Sequence, residues 1–275
     1  MSFSRIGIAG VGLIGGSIGL AARATGAAIT GYDRDPATLK RARARGAIDR
    51  SASSLAGLAR DTDLLVIALP LPATLAALHE LGELAAPIID VASVKVPVVE
   101  AARALPHFVG THPMAGRERG GIDAADGALF RDATWAIDAG APAATARRVA
   151  AFVGSLGAKA VTIGAHEHDR LVASTSHLPQ SLAVALGTHL AAVVAQDDRA
   201  RELCGPGIRS MLRLARSPLD IWEPILRANA RPLAGELHAL ARLLEAAALG
   251  LDQGDISPLA SYFGDAARIA GVLDP

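Results

Sequence analysis

A single cysteine, Cys204, stands among 275 residues. That excludes an intramolecular disulfide framework and any cysteine-based zinc cage, and Cys204 reads as a small buried hydrophobe. Lysine is scarce, with 3 residues against 24 arginines, and 27 basic side chains are matched by 27 acidic ones for a net charge of zero. No basic block offers an electrostatic footprint for nucleic acid, so no nucleic-acid partner is expected and the substrate should be small. No run of about 18 or more consecutive apolar residues occurs, so no membrane partner is expected either. The start, MSFSRIGIAG, lacks the charged and apolar regions of a secretory signal, which makes the cytoplasm the expected compartment. Aromatic residues form only 3% of the chain.

What is present is alanine, 59 residues of it, within a hydrophobic fraction of 51%. Small side chains with strong helix propensity predict much close-packed helix. At about 100 to 200 residues per domain, the length suits one large or two ordinary domains. The first 165 residues alternate short apolar runs with helical stretches, the pattern of a doubly wound parallel α/β sheet of Rossmann type. Expected strands are 5–9, 28–32, 64–69, 88–91, 108–111, 134–137 and 159–163, with helices at 36–45, 73–84 and 145–156 among them. From about His166 the apolar residues recur only at helical spacing, through 171–194, 208–215, 233–248 and 259–273. The expected division is therefore a dinucleotide-binding domain over 1–165 and an all-α substrate and dimerisation domain over 166–275. Stretches such as ARLLEAAALGL need cover for their apolar faces, and a second copy of the chain would supply it.

Residues 5 to 20 read RIGIAGVGLIGGSIGL, a strand, then Gly10, Gly12 and Gly15 in G-x-G-x-x-G spacing, then a helix. Gly10 permits the tight turn, Gly12 lets backbone approach a pyrophosphate, and Gly15 lets the helix pack on the strand. The phosphates would lie at the helix N-terminus, whose free N–H groups favour an anion. Leu13 and Ile14, which open that helix, and Leu69, which closes the strand at 64–69, complete the expected cradle. Asp33 follows Gly15 by 18 residues, near the position of the acid that binds the adenosine ribose. A carboxylate there repels a 2′-phosphate and favours NAD over NADP, while the neighbouring Arg34 could accept that phosphate or stack on adenine.

Removing a hydride from an alcohol carbon requires a base, and histidine is the usual one. His112, in FVGTHPMAG, follows a strand directly and lies on the carboxyl edge where open α/β sheets bind ligands. It is either that base or a polar cap on the strand end. His166 and His168, in AHEHDR, read as a charged turn opening a helix rather than as metal ligands, and no metal is expected. His177, within an apolar helix, reads by itself as a core residue. Arg209 and Arg213 share a helix face, pointing either to solvent or to a carboxylate.

Together these segments resemble the prephenate dehydrogenase family, which includes arogenate and cyclohexadienyl dehydrogenases of tyrosine biosynthesis. GVGLIGGSIGLA, DVASVK, THPMAG with the Glu118 and glycines that follow, LFRDATW, EHDRLVASTSHLP and GIRSMLRLARSPLDIW match family motifs in family order over residues 5 to 230. The resemblance implies NAD-linked oxidative decarboxylation of a cyclohexadienyl acid. His112 is then the base for the C4 hydroxyl, and Ser93 hydrogen-bonds that hydroxyl and the nicotinamide edge. Arg213 clamps a substrate carboxylate, His177 and Ser176 face the same pocket, and Trp222 reaches it from the partner subunit of a homodimer. Where many relatives carry a second histidine this chain has Gln180, an amide that suits a keto acid's carboxylate or an ammonium group, so prephenate and arogenate both stay open. Arg117 replaces a small polar residue and either adds positive charge to the pocket or faces solvent. With no regulatory module expected beyond the helical part, tyrosine should inhibit by competing with substrate. Two other readings share these motifs: a 4-amino-4-deoxyprephenate dehydrogenase, and a sensor that binds NAD without catalysis.

Overall fold

The structure, a computed structural model, describes residues 3–82, 84–117 and 119–273; Glu118 lies outside them. Strands and helices alternate as β1 (Arg5–Ala9), α1 (Leu13–Ala22), β2 (Ala28–Tyr32), α2 (Pro36–Ala44), β3 (Arg50–Ser51), α3 (Leu55–Arg60) and β4 (Leu64–Ile67). They continue as α4 (Leu71–Glu80), β5 (Ile88–Asp90), α5 (Val96–Ala101) and β6 (Phe108–Val109). These six strands form a parallel sheet in the order β3-β2-β1-β4-β5-β6, the doubly wound arrangement whose ligand crevice opens between β1 and β4. β4 is apolar at every position and β1 at every position after Arg5, because helices cover both faces. Ile6, Ile8, Leu64, Val66 and Ile89 pack with Ile18, Phe130, Trp135 and Phe152 on one side. Leu65, Ile67 and Ile88 pack with Leu58, Leu78, Val98 and Leu105 on the other. Local chemistry starts the helices: Asp35 accepts the Ala37 and Thr38 N–H groups ahead of α2, with Pro36 in its first turn, and Ser54 accepts the Gly57 N–H ahead of α3.

The parallel sheet ends earlier than the strand pattern implies. The run at 108–111 breaks at Gly110, and β7 (Thr111–Pro113) joins a second sheet in which it runs antiparallel to β8 (Thr134–Asp138), with β9 (Lys159–Ile163) parallel to β8. The cause is Asp90 at the end of β5. Its Oδ1 accepts the Thr111 N–H at 2.9 Å, and the Thr111 hydroxyl donates to the Asp90 carbonyl. A backbone donor that would extend the ladder is thereby drawn to a side chain. Helix α6 (Ala143–Ser155) lies between β8 and β9.

Past β9 the described chain is helical. Helix α7 (Ala165–Val172) runs through a π-helical turn (Ala173–His177) into α8 (Leu178–Gln196), followed by α9 (Pro206–Met211), α10 (Leu219–Ala228), α11 (Ala230–Asp252) and α12 (Ser257–Leu273). Pro179 accounts for the π turn: it has no N–H to give to the carbonyl four residues back, and its ring crowds that carbonyl, so the helix widens locally. By length and composition the continuous helix from Ala165 to Gln196 could span a membrane, at mean hydropathy 1.5. It nevertheless carries His168, Asp169, His177 and Gln180, all buried against the rest of the chain. Leu243, Leu244 and Leu251 on α11 and Phe263 and Ile269 on α12 are exposed, Phe263 by 76%. Cys204 is half-buried rather than buried.

Candidate active site

Between β1 and α1 the three glycines each meet a different constraint. Gly10 has φ +87°, and a Cβ there would sit 2.3 Å from the Ala68 carbonyl oxygen, with the Leu69 side chain at 3.0 Å. A Cβ on Gly15 would lie 1.9 Å from the Gly10 carbonyl oxygen, so only glycine lets α1 seat against the loop. A Cβ on Gly12 would meet nothing within 4 Å. Open space thus lies over the start of α1, which has no side-chain cap and whose first-turn N–H groups, around Leu13 and Ile14, have no helical acceptors. This cradle fits a pyrophosphate. Asp33, just past β2, accepts the Val11 N–H at 3.1 Å and the Asp35 N–H at 3.0 Å. Those bonds hold its carboxylate at the mouth of the crevice with lone pairs to spare. Arg34 is exposed beside it.

Just past the carboxyl end of β6, β7 of the second sheet presents His112. Its Nδ1 lies 2.9 Å from His168 Nε2, the two rings meeting edge to face at 5.1 Å between centroids. His168 Nδ1 lies 2.8 Å from Asp169 Oδ1. That carboxylate also accepts the Lys95 N–H at 2.7 Å on Oδ1 and the Val96 N–H at 2.9 Å on Oδ2. His168 is only 3% exposed, so the charged surface turn expected for AHEHDR is corrected. Helix α7 turns His168, Asp169 and Val172 inward together. The i, i+4 relation of His168 to Val172 was the available signal, masked by the charges around it.

Beneath His112 sits a second buried charge. Lys95 Nζ is paired with Asp90 and donates to the Thr111 carbonyl at 2.6 Å. Burial pulls the Lys95 amine down and Asp90 opposes that pull. Burial, and after it the Lys95 ammonium, holds the His112 imidazole well below the ordinary histidine value. His112 is therefore a neutral ring at neutral pH, the form in which histidine accepts protons. Ser93 lies half-buried on the short loop between β5 and α5, two residues before Lys95.

The helical part supplies the facing wall. His177, 1% exposed, ends the π turn, with half-buried Ser176 before it. The Asn229 amide donates to the Asp169 carbonyl at 2.7 Å and lies 3.1 Å from His177 Nδ1. An amide nitrogen has two hydrogens and no lone pair to offer, so His177 Nδ1 is the acceptor there and its proton sits on Nε2. Burial lowers the His177 pKa as well. The bond to Asn229 replaces the plain core role that His177 has from sequence alone. Asn229 carries no local motif and sequence reading passes over it; Lys95 lies in the DVASVK segment, where sequence reading assigns it no role. Trp222 on α10 meets the His177 ring edge to face, at 6.0 Å. The contact is made within one chain, Asn229 at the junction of α10 and α11 tying that junction to Asp169 and His177. Gln180, one turn beyond His177, donates Nε2–H to the Leu214 carbonyl at 3.0 Å, while its buried Oε1 meets no partner among the described residues. Leu214 directly follows Arg213. Arg117 is exposed and paired with Asp126, whose N–H bonds Ser17 of α1. Its charge is thus met on the α1 side.

Family comparisons agree with this geometry. Residues 18–162 match the model described as prephenate dehydrogenase, nucleotide-binding domain, and residues 164–265 match that described as prephenate dehydrogenase, dimerization domain. A cyclohexadienyl dehydrogenase of Zymomonas mobilis is 32% identical over 88% of this chain and 86% of its own length. Among solved structures, a Synechocystis arogenate dehydrogenase is similar at a TM-score of 0.81 and 26% identity, over 96% of this chain and 99% of that one. A prephenate dehydrogenase from A. aeolicus, in complex with hydroxyphenyl propionate and NAD+, shares the fold at a TM-score of 0.88 and 22% identity, over 100% and 99% of the two chains. The chain belongs to the prephenate dehydrogenase family.

Proposed function

We propose that this protein is an NAD-dependent dehydrogenase that oxidatively decarboxylates a cyclohexadienyl acid, prephenate or arogenate, in tyrosine biosynthesis. The observation that carries the reading is His112: a half-buried neutral imidazole, with Nδ1 engaged by His168, just past the carboxyl end of β6 in the parallel sheet whose first strand leads into the glycine cradle. Residues 1–165 form the dinucleotide domain and 166–275 the substrate and dimerisation domain. Gly10, Gly12, Leu13, Ile14 and Gly15 hold the pyrophosphate, Leu69 lines the crevice, and Asp33 with Arg34 receives the adenosine ribose. NAD is favoured over NADP because the Asp33 carboxylate meets a 2′-phosphate with like charge. When bound, NAD supplies the acceptor for the hydride that leaves C4.

His112 Nε2 takes the hydrogen bond of the C4 hydroxyl and its proton as C4 is oxidised, and returns that proton to the phenol oxygen once the ring carboxyl has left as CO2 and its electron pair has completed the aromatic ring. Ser93 holds the same hydroxyl. Arg213 clamps a carboxylate, with His177, Ser176 and Trp222 forming the wall behind it. Aromatisation drives the step, so the residues mainly position and balance charge.

Gln180 decides between the two acids. Its Nε2 is committed to the Leu214 carbonyl, and turning the amide over would set oxygen against oxygen. The unpaired group is therefore an acceptor, and an unpaired buried acceptor is costly until it meets a donor. Arogenate carries an ammonium on its side chain and prephenate does not, so arogenate is the favoured substrate. Tyrosine, bearing the same ammonium, competes for the site. The exposed leucines of α11 and Phe263 of α12 are covered by a second copy, making a homodimer, and the compartment is the cytoplasm. The test is the growth of reduced-cofactor absorbance with purified protein, NAD and each acid. Turnover with a higher kcat/KM for arogenate is expected, and a protein inert toward both acids with either cofactor refutes the reading.

A further inference from the structure

We propose that His168, held by Asp169, is a positioning residue that fixes the ring of His112 as the tautomer protonated on Nδ1, so that the bare Nε2 faces the substrate. This rests on the reading of His112 as the base and adds the device that makes it one. The assignment follows from donor and acceptor capacity along a buried chain. Asp169 accepts backbone N–H bonds from Lys95 and Val96 on its two oxygens. An ionised carboxylate only accepts, so the hydrogen between Asp169 Oδ1 and His168 Nδ1 belongs to the histidine. With Nδ1 protonated, neutral His168 keeps its lone pair on Nε2. At 2.9 Å from that lone pair, His112 Nδ1 must be the donor. The one lone pair left to the His112 ring is then on Nε2.

The alternative places protons on both nitrogens of His168 and the lone pair of His112 on Nδ1, which would leave Nε2–H toward the substrate and no base. It requires a second cation beside the Lys95 ammonium, on a ring only 3% exposed, where a charge loses its hydration. The neutral chain, from carboxylate through two imidazoles to a free lone pair, is the arrangement these groups satisfy together. It is the carboxylate-to-histidine orientation of hydrolase triads with one more ring in the line. When His112 Nε2 takes a proton, the Nδ1–H bond to His168 strengthens and shifts positive charge toward Asp169.

Two measurements test this. Nitrogen-15 NMR of the histidine side chains in the cofactor-free protein should show His112 protonated on Nδ1 and bare on Nε2. Finding the proton on Nε2 overturns the proposal, whatever the enzyme turns over. In the second, His168→Leu removes the acceptor and should lower kcat by about 10²- to 10⁴-fold with the Kd for NAD unchanged. His168→Gln, whose side-chain carbonyl can accept the same N–H, should restore the Nδ1–H tautomer and recover at least tenfold of the loss. Wild-type kcat in His168→Leu, or a glutamine variant that restores the tautomer without any recovery of rate, counts against the role. Absence of turnover by the wild type toward both acids defeats the proposed activity and leaves the tautomer measurement standing, so the two failures are distinguishable.

Discussion

Replacing Gly12 by alanine separates cofactor binding from folding. An added Cβ meets nothing within 4 Å in the free protein, so no neighbouring atom has to move to admit it. The melting temperature should therefore fall by less than in a Gly15→Ala protein. The methyl group occupies the open volume over the first turn of α1, where the pyrophosphate has to approach the backbone. Hydrogen bonds from N–H groups to a charged acceptor contribute roughly 1.5–3 kcal/mol each, so lengthening even one costs about 10- to 100-fold in affinity. Gly15→Ala is the contrast. Its Cβ would stand 1.9 Å from the Gly10 carbonyl oxygen, a backbone atom with nowhere to go, so α1 must move and the core beneath it with it. Overpacking of that kind costs about 1–3 kcal/mol, or several degrees of melting temperature in a chain of this size. Isothermal titration with NAD and a thermal melt on each variant give the four numbers. A Gly12→Ala protein that binds NAD as wild type does would refute the placement of the pyrophosphate.

Four further outcomes follow. Because His112 is held well below the ordinary histidine value of 6.5 by burial and by Lys95, the acid limb of kcat/KM should fall below that pH; a limb at or above it contradicts the burial argument. The unfolded chain takes up those protons first as pH drops, and His177 adds a shift of the same sign. Stability to urea should therefore be level above pH 6.5 and decline below it. Asp33→Ser keeps an acceptor for the Val11 N–H but removes the charge; the ratio of NAD to NADP affinity should fall on the order of 10- to 100-fold, read from Kd values for both. Leu244→Asp with Phe263→Asp should convert a particle of twice the 28.0 kDa chain mass into a single chain in sedimentation, while a wild type that sediments as one chain ends the dimer proposal.

Much of the α/β part was legible because buried parallel strands are apolar throughout and stand out from the helices around them. The strands at 5–9, 28–32 and 159–163 match residue for residue. The break at Gly110 was not legible, since FVGTH reads as one run and only the side chain of Asp90, twenty residues earlier, diverts it. Strand β3 has two residues and no pattern to detect. Helix α10 begins after Pro218 and contains Pro224, and two prolines in so short a stretch conceal it. At the site, the cradle glycines and His112 were readable from their place at strand ends. His168 and Asp169 were not, because two charged-looking residues opening a helix usually face water; here one caps α5 from a distance and the other supports a base. Asn229 illustrates the same limit: a lone amide between helices, given meaning only by the two groups it reaches.

The π turn sets the angular phase of the site. Successive residues of an α-helix advance by about 100° around its axis, so nine residues of regular helix would put His168 and His177 on opposite sides. The wider turn at Ala173–His177 absorbs one residue, which brings the second half round by about one such step. That lets one helix serve two partners, lending His168 to the base and His177 with Gln180 to the substrate wall. Straightening that turn into regular helix, with no residue added or removed, would leave both halves folded and every side chain present, yet rotate the groups that recognise the substrate by about 100° away from the group that reacts with it.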